Sequence, residues 1–173
     1  MDQKQNPRGK VPSFPSIGRA TAASRVTAAS KPKAATHVES HEKRHHGKFA
    51  TAINCMDGRV QVPVINWLKE NLGVDYVDMI TEPGPDKLLA EGDTRALNSI
   101  KARVLISINK HGSDTILVAA HDDCAGNPVS RAQHETDVRQ SVIRIQSWKL
   151  PVKRVLGAWI GDDWKVEIIE ASR

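Results

Sequence analysis

Apolar and polar positions change rhythm at Lys48. Before it, Pro, Ser, Ala, Thr, Lys and Arg dominate, with one aromatic residue (Phe14) and no sustained apolar periodicity. A segment of that kind cannot bury enough surface to offset its ordering entropy, so residues 1–47 are expected to form a disordered tail, ordered only by a partner. After Lys48, apolar runs alternate with amphipathic stretches. Phe49–Cys55 and Thr115–Ala120 have the continuous apolar character of buried strands, and Tyr76–Thr81 and Val155–Ile160 are further strand candidates. Between them, Val62–Asn71 has helical spacing at Ile65, Leu68 and Leu72, with Pro63 in a first-turn position and Gly73 as the stop. A long helix is expected from Thr94 to His111, with Leu97, Ile100, Val104 and Ile108 on one face and Gly112 ending it. Another follows Ser130, a capping residue with Gln133 three positions on, and carries Val138, Val142, Ile145 and Trp148 as its buried stripe. Gly161-Asp162-Asp163 then predicts a hairpin turn, with Trp164, Val166 and Ile168 alternating on a returning edge strand.

The pattern β-α-β-α-β-α-β-β implies an α/β fold. It predicts a mostly parallel sheet of about four strands flanked by helices, with right-handed crossovers and a C-terminal antiparallel edge strand. The expected division is a basic tail over 1–47 and one α/β domain over 48–173. A chain of 173 residues with 39% hydrophobic content is long enough for one core and short for two.

Charge changes this picture little. Residues 1–47 hold nine Lys/Arg against three Asp/Glu, so the tail carries more than the whole formal charge of +5. The basic balance therefore says little about the domain's ligand. For the tail, a solubilising extension competes with an arm for nucleic acid or another polyanion and with an organelle transit peptide. Arg19–Arg25 suits the transit composition, whereas Asp2 and Pro7, Pro12 and Pro15 oppose it. His37, His41, His45 and His46 are interleaved with Glu39, Glu42, Lys43 and Arg44 and read as a flexible polar junction rather than ligands. No apolar stretch reaches the ~20 residues of a membrane helix, and no secretory signal is evident. A reducing, cytoplasmic setting with free or metal-bound thiols is expected for the two cysteines.

Those cysteines carry the candidate chemistry. Cys55 ends the first expected strand in Ile53-Asn54-Cys55-Met56-Asp57-Gly58-Arg59, and His121 ends the third, with Cys124 three residues on. Ligands collect beyond the carboxyl ends of parallel strands, so both cysteines and His121 converge on one edge. Two thiolates and an imidazole form a zinc ligand set that leaves a fourth tetrahedral position open, as catalytic sites do. Soft sulfur argues against magnesium, calcium and manganese. The alternative is that the cysteines are small buried hydrophobes, and that Asp57 and Arg59 cap and pair on the following helix. Asp122 and Asp123 are expected to be solvated or to cap backbone amides, and His111 and His134 to lie on the surface.

Cys-x-Asp-x-Arg followed by His-x-x-Cys resembles the β-class carbonic anhydrases, and residues 48–169 are similar to short members that keep little beyond the zinc-binding core. The segments that carry the resemblance are Met56–Gln61, Thr81–Pro85 and His121–Pro128. It implies that Cys55, His121 and Cys124 bind Zn2+, with water or hydroxide as fourth ligand, and that the reaction is reversible hydration of CO2 to bicarbonate. Asp57 would accept a hydrogen bond from the hydroxide or ligate zinc in a resting form, and Arg59 would hold Asp57 off the metal. The loop at Gly84 would border the cleft, and a homodimer or larger homo-oligomer is expected. Two alternatives stand beside this: hydrolysis of COS or CS2 on the same zinc, and a non-catalytic zinc module with a polyanion-binding tail. The commoner β-class pattern has serine where Gly58 stands and glycine where Ala125 stands, and its longer members use N-terminal helices for which residues 1–47 are poor candidates.

Overall fold

The computed structural model describes residues 47–92 and 94–172. The expected basic tail, with its four histidines, lies outside the described residues apart from Gly47. Five strands form one sheet in the order β2-β1-β3-β4-β5. They are β1 (Phe49–Cys55), β2 (Tyr76–Glu82), β3 (Thr115–His121), β4 (Arg154–Ile160) and β5 (Val166–Ser172). The first four are parallel, and β5 returns antiparallel on β4, as the sequence predicts. The returning strand begins at Val166, two residues later than expected, because Trp164 lies in the turn with φ +58°.

The helices are α1 (Gly58–Leu72), α2 (Pro85–Glu91), α3 (Thr94–Ile106) and α4 (Arg131–Ser147). Two cores lie on opposite sides of the sheet. On one side, Leu89 of α2, Ile100 and Val104 of α3, and Val138, Val142 and Ile145 of α4 pack on Ile53, Ile116, Val118 and Trp159. On the other, Val60, Val64 and Leu68 of α1 pack on Ala50, Ala52, Leu117, Ala119 and Ala158. Adjacent strand residues point to opposite faces, which is why Leu117 and Ala119 serve one core while Ile116 and Val118 serve the other. A fully buried Ile, Val or Leu contributes about 1.5–3 kcal/mol relative to exposure.

Three elements depart from expectation. Helix α1 starts four residues early, because Asp57 accepts a hydrogen bond from the Arg59 amide at 2.9 Å and caps it, leaving Pro63 inside the helix. The turn-rich stretch after Glu82 continues into α2, with Pro85 at the start and Gly84 in the left-handed region at φ +57°. The long helix ends as a π-helical segment, Ser107–His111, before Gly112 stops it at φ +72°. There a buried Thr51 hydroxyl donates to Ser107 Oγ at 2.7 Å and lies 2.9 Å from Ser113 Oγ. A widened turn brings that polar group inward.

Candidate metal centre

Strands β1 and β3 are parallel neighbours, with Ile53 opposite Val118, so their carboxyl ends open on the same edge of the sheet. Cys55 closes β1, His121 closes β3, and the turn that follows carries Cys124. All three side chains are buried, and their ligand atoms lie within 4.8 Å of one another. The two sulfurs are 3.8 Å apart. That is about the separation of two sulfurs each ~2.3 Å from one tetrahedral zinc.

His121 is oriented for ligation. Its Nδ1–H donates to the Asp122 carbonyl at 2.7 Å, which leaves Nε2 with its lone pair, buried and without a partner among the described residues. A buried polar atom left unpaired costs about 1–3 kcal/mol, and a cation at Nε2 removes that cost. Burial also lowers the His121 pKa, favouring the neutral ring that a metal requires. The Cys124 thiol is pushed up to about 11, chiefly by burial, while the amide N–H groups of Asn127 and Gly126 act on its sulfur in the opposite sense. A thiol so placed keeps its proton unless a metal cation replaces it. Donor chemistry, sulfur spacing and the orphaned nitrogen all fit zinc.

Asp57 and Arg59 form one unit beside this cluster. Arg59 Nε lies 3.0 Å from both Asp57 oxygens and Nη2 lies 2.6 Å from Oδ2. These bonds and the Arg59 amide hold the Asp57 carboxyl at about 2, so it is ionised throughout the neutral range. The far side of the guanidinium bonds Asp123 Oδ2 at 3.3 Å and sits over Trp164, 5.0 Å from the ring centre. Capping and pairing, the plainer expectation for Asp57 and Arg59, are thus both present. Asp122 is exposed as expected, and Asp123 is exposed but paired with Arg59.

Several supporting residues escaped the sequence reading. Asn54 Nδ2 and Gln61 Nε2 both donate to the Cys55 carbonyl, at 3.0 and 2.7 Å, fixing the backbone that carries the ligand. The Gly84 loop meets the Cys124 loop backbone to backbone: a Cβ on Gly126 would lie 2.4 Å from the Pro83 carbonyl carbon. His134 is not on the surface but buried, with Nδ1 2.6 Å from Asp86 Oδ2. His111 is part-buried, bonded to Asp78 at 2.7 Å and stacked on Phe49. A cleft of about 460 Å³ lined by Lys48, His111, Lys153 and Arg154 opens at the amino ends of the strands, opposite the cluster, and holds none of the candidate residues.

No curated protein sequence matches the chain. Among solved structures, it is similar to the β-carbonic anhydrase CafA of Aspergillus fumigatus, with 14% identity and a TM-score of 0.42 over 74% of this chain and 77% of that one. It is also similar to one of two tetrameric β-carbonic anhydrases from Sordaria macrospora, with 12% identity and a TM-score of 0.42 over 73% and 82% of the respective chains. Residues 45–170 match the family model described as "Putative carbonic anhydrase", and the chain belongs to that family.

Proposed function

We propose that the chain is a zinc-dependent carbonic anhydrase that interconverts CO2 and bicarbonate, with Cys55, His121 and Cys124 as the metal ligands. The observation that carries this is the buried Cys-His-Cys cluster whose His121 Nε2 has no partner among the described residues. Zinc held there would supply Lewis acidity and lower the pKa of a coordinated water towards ~7, the value general to carbonic anhydrase zinc sites. Asp57, ionised and gripped by Arg59, accepts a hydrogen bond from the attacking water and aims its lone pair at the carbon of CO2. Arg59 keeps that carboxylate ionised and, tied to Asp123 and Trp164, fixes its direction. The products are bicarbonate and a proton that leaves to buffer.

Both cysteines are free, which suits a reducing, cytoplasmic setting. No helix among the described residues is long and apolar enough to cross a membrane. We include self-association in the proposal: β2 is an edge strand, and Tyr76 on it, Val62 on α1 and Ile106 on α3 are exposed.

Stopped-flow CO2 hydration on zinc-loaded protein tests the proposal. Asp57→Ala is expected to lower turnover about 100-fold with zinc retained, and Cys55→Ser to lose both zinc and activity. Wild-type turnover no better than that of these variants sinks the proposal. Sulfide release from COS, with CO2 left unreacted, would reassign the electrophile and keep the site.

A further inference from the structure

Behind the Cys124 turn lies a buried polar network that the proposed chemistry does not use. Asp86, at the start of α2, is fully buried. Its Oδ2 accepts from His134 at 2.6 Å and from Asn127 Nδ2 at 2.9 Å, while Oδ1 has no partner among the described residues. Asn127 Nδ2 donates also to Asp137 Oδ2 at 3.0 Å, so one amide nitrogen ties α2 to α4. His134 packs against Trp159, with ring centres 5.4 Å apart. Ser141 Oγ, one turn beyond Asp137, lies 3.0 Å from the Asp86 carbonyl.

Asn127 is also the closing residue of the ligand turn. Its backbone N–H lies 3.2 Å from the Cys124 carbonyl, and together with the Gly126 N–H it acts on the Cys124 sulfur. The side chain of Asn127 is therefore anchored in the buried network while its backbone holds the turn from which Cys124 projects. Asp86 is fully buried with few partners, so losing either His134 or Asn127 leaves further buried polar groups unpaired, and each contact holds the others in place. Partners that orient metal ligands at one remove are typically worth about 10- to 100-fold in metal affinity.

We propose that Asn127, Asp86 and His134 are positioning residues: Asp86, fixed by His134 on α4, anchors the Asn127 side chain and so locks the turn that presents Cys124 to the metal. This rests on the metal reading above. The side chains of Asp86, Asn127 and His134 bond one another and not the ligand atoms or Asp57, so their effect is on how long the metal is held rather than on the ionisation of the dyad.

The test is zinc release from the full-length, zinc-loaded chain to an excess of a chromogenic chelator. Asn127→Ala is expected to release zinc at least 10-fold faster than wild type. His134→Leu, which fills space without a donor, should do the same. His134→Asn, whose side-chain amide replaces the Nδ1–H donor, should return release to within about 3-fold of wild type, a rescue that a merely space-filling role would not give. Asp86→Asn combined with Asn127→Ala should add little to Asn127→Ala alone, since both act through one contact. Wild-type release rates in folded Asn127→Ala and His134→Leu proteins overturn the clamp, as does His134→Asn behaving like His134→Leu. Should Asn127→Ala fail to fold, the His134 pair decides alone. A wild-type chain that takes up no zinc overturns the metal reading along with the clamp; one that holds zinc while the variants do not differ overturns the clamp only.

Discussion

At Asp57, one carboxylate does two things that are often kept apart. It caps α1 through the Arg59 amide and pairs with the Arg59 side chain, and the second interaction is the larger cause of its lowered pKa. Replacing Arg59 by Gln removes the guanidinium but leaves the amide bond, so the Asp57 pKa should rise from about 2 most of the way towards the ordinary 3.8. The sign for stability follows from a folded-state pKa below the unfolded one. Asp57 stabilises the fold above about pH 4, and that contribution is lost as pH falls towards 2. A carboxyl-carbon NMR titration of the two proteins measures both values, and an Asp57 still titrating near 2 in Arg59→Gln would assign the shift elsewhere. The meeting of Cys55, His121 and Cys124 was legible because the chain has only two cysteines and each of the three residues sits at or just beyond a strand end. His134 was not, although it lies four residues before Val138 on the same buried stripe of α4. A polar residue on an apolar stripe signals a buried partner, but the partner, Asp86, is 48 residues away and only the fold reveals it.

Elements were legible where periodicity was strong. The four parallel strands and α4, with its Ser130 cap, follow the hydrophobic pattern almost residue for residue, because burial on the two faces of the sheet fixes which side chains point where. The pattern failed at Pro85–Glu91, where Glu82-Pro83-Gly84-Pro85 reads as a turn and the helix after it is too short for a period to show. It failed again at Ser107–His111, since the π-helical widening answers to Thr51, a hydroxyl on a different element. The Pro83–Gly84 turn matters because it packs on the Cys124 turn with no room for a side chain. Gly126→Ala would place its Cβ 2.4 Å from the Pro83 carbonyl carbon and 2.5 Å from the Gly84 nitrogen, both backbone atoms that cannot rotate away. The expected cost is about 2 kcal/mol or more, with the turn displaced and zinc held less tightly. Gly58 is the opposite case: nothing lies within 4 Å of a Cβ there and its φ is ordinary. Gly58→Ser, the residue of the commoner β-class pattern, should therefore change stability by no more than about 0.5 kcal/mol. Urea unfolding of the zinc-loaded variants separates the two, and equal losses would mean that the loop contact does not hold the turn.

Over the whole molecule, the cluster makes stability depend on pH and metal together. Without metal, the lowered His121 pKa means that the unfolded chain takes up a proton more readily, so stability falls as pH drops below about 6.5. The Cys124 thiol, at about 11 against an ordinary 9.0, is ionised first in the unfolded chain. Stability therefore falls again as pH rises from 9 towards 11, by an amount on the order of 2 kcal/mol. The metal-free protein should thus be most stable between these limits, where His121 is neutral and Cys124 keeps its proton. Zinc changes the shape of that curve as well as its height, because it binds the deprotonated ligands of the folded state. At 1,000 times its Kd it adds about 4 kcal/mol by mass action, worth roughly 10 °C or more in Tm for a domain of this size. The alkaline loss should largely disappear with zinc, since the ion has already displaced the thiol proton, while the acidic loss should steepen as protons compete with zinc for His121 and the sulfurs. Thermal unfolding with zinc and with chelator, measured from pH 5 to 11, gives both curves. A gap between them that does not shrink on acidification would place the metal on groups other than Cys55, His121 and Cys124.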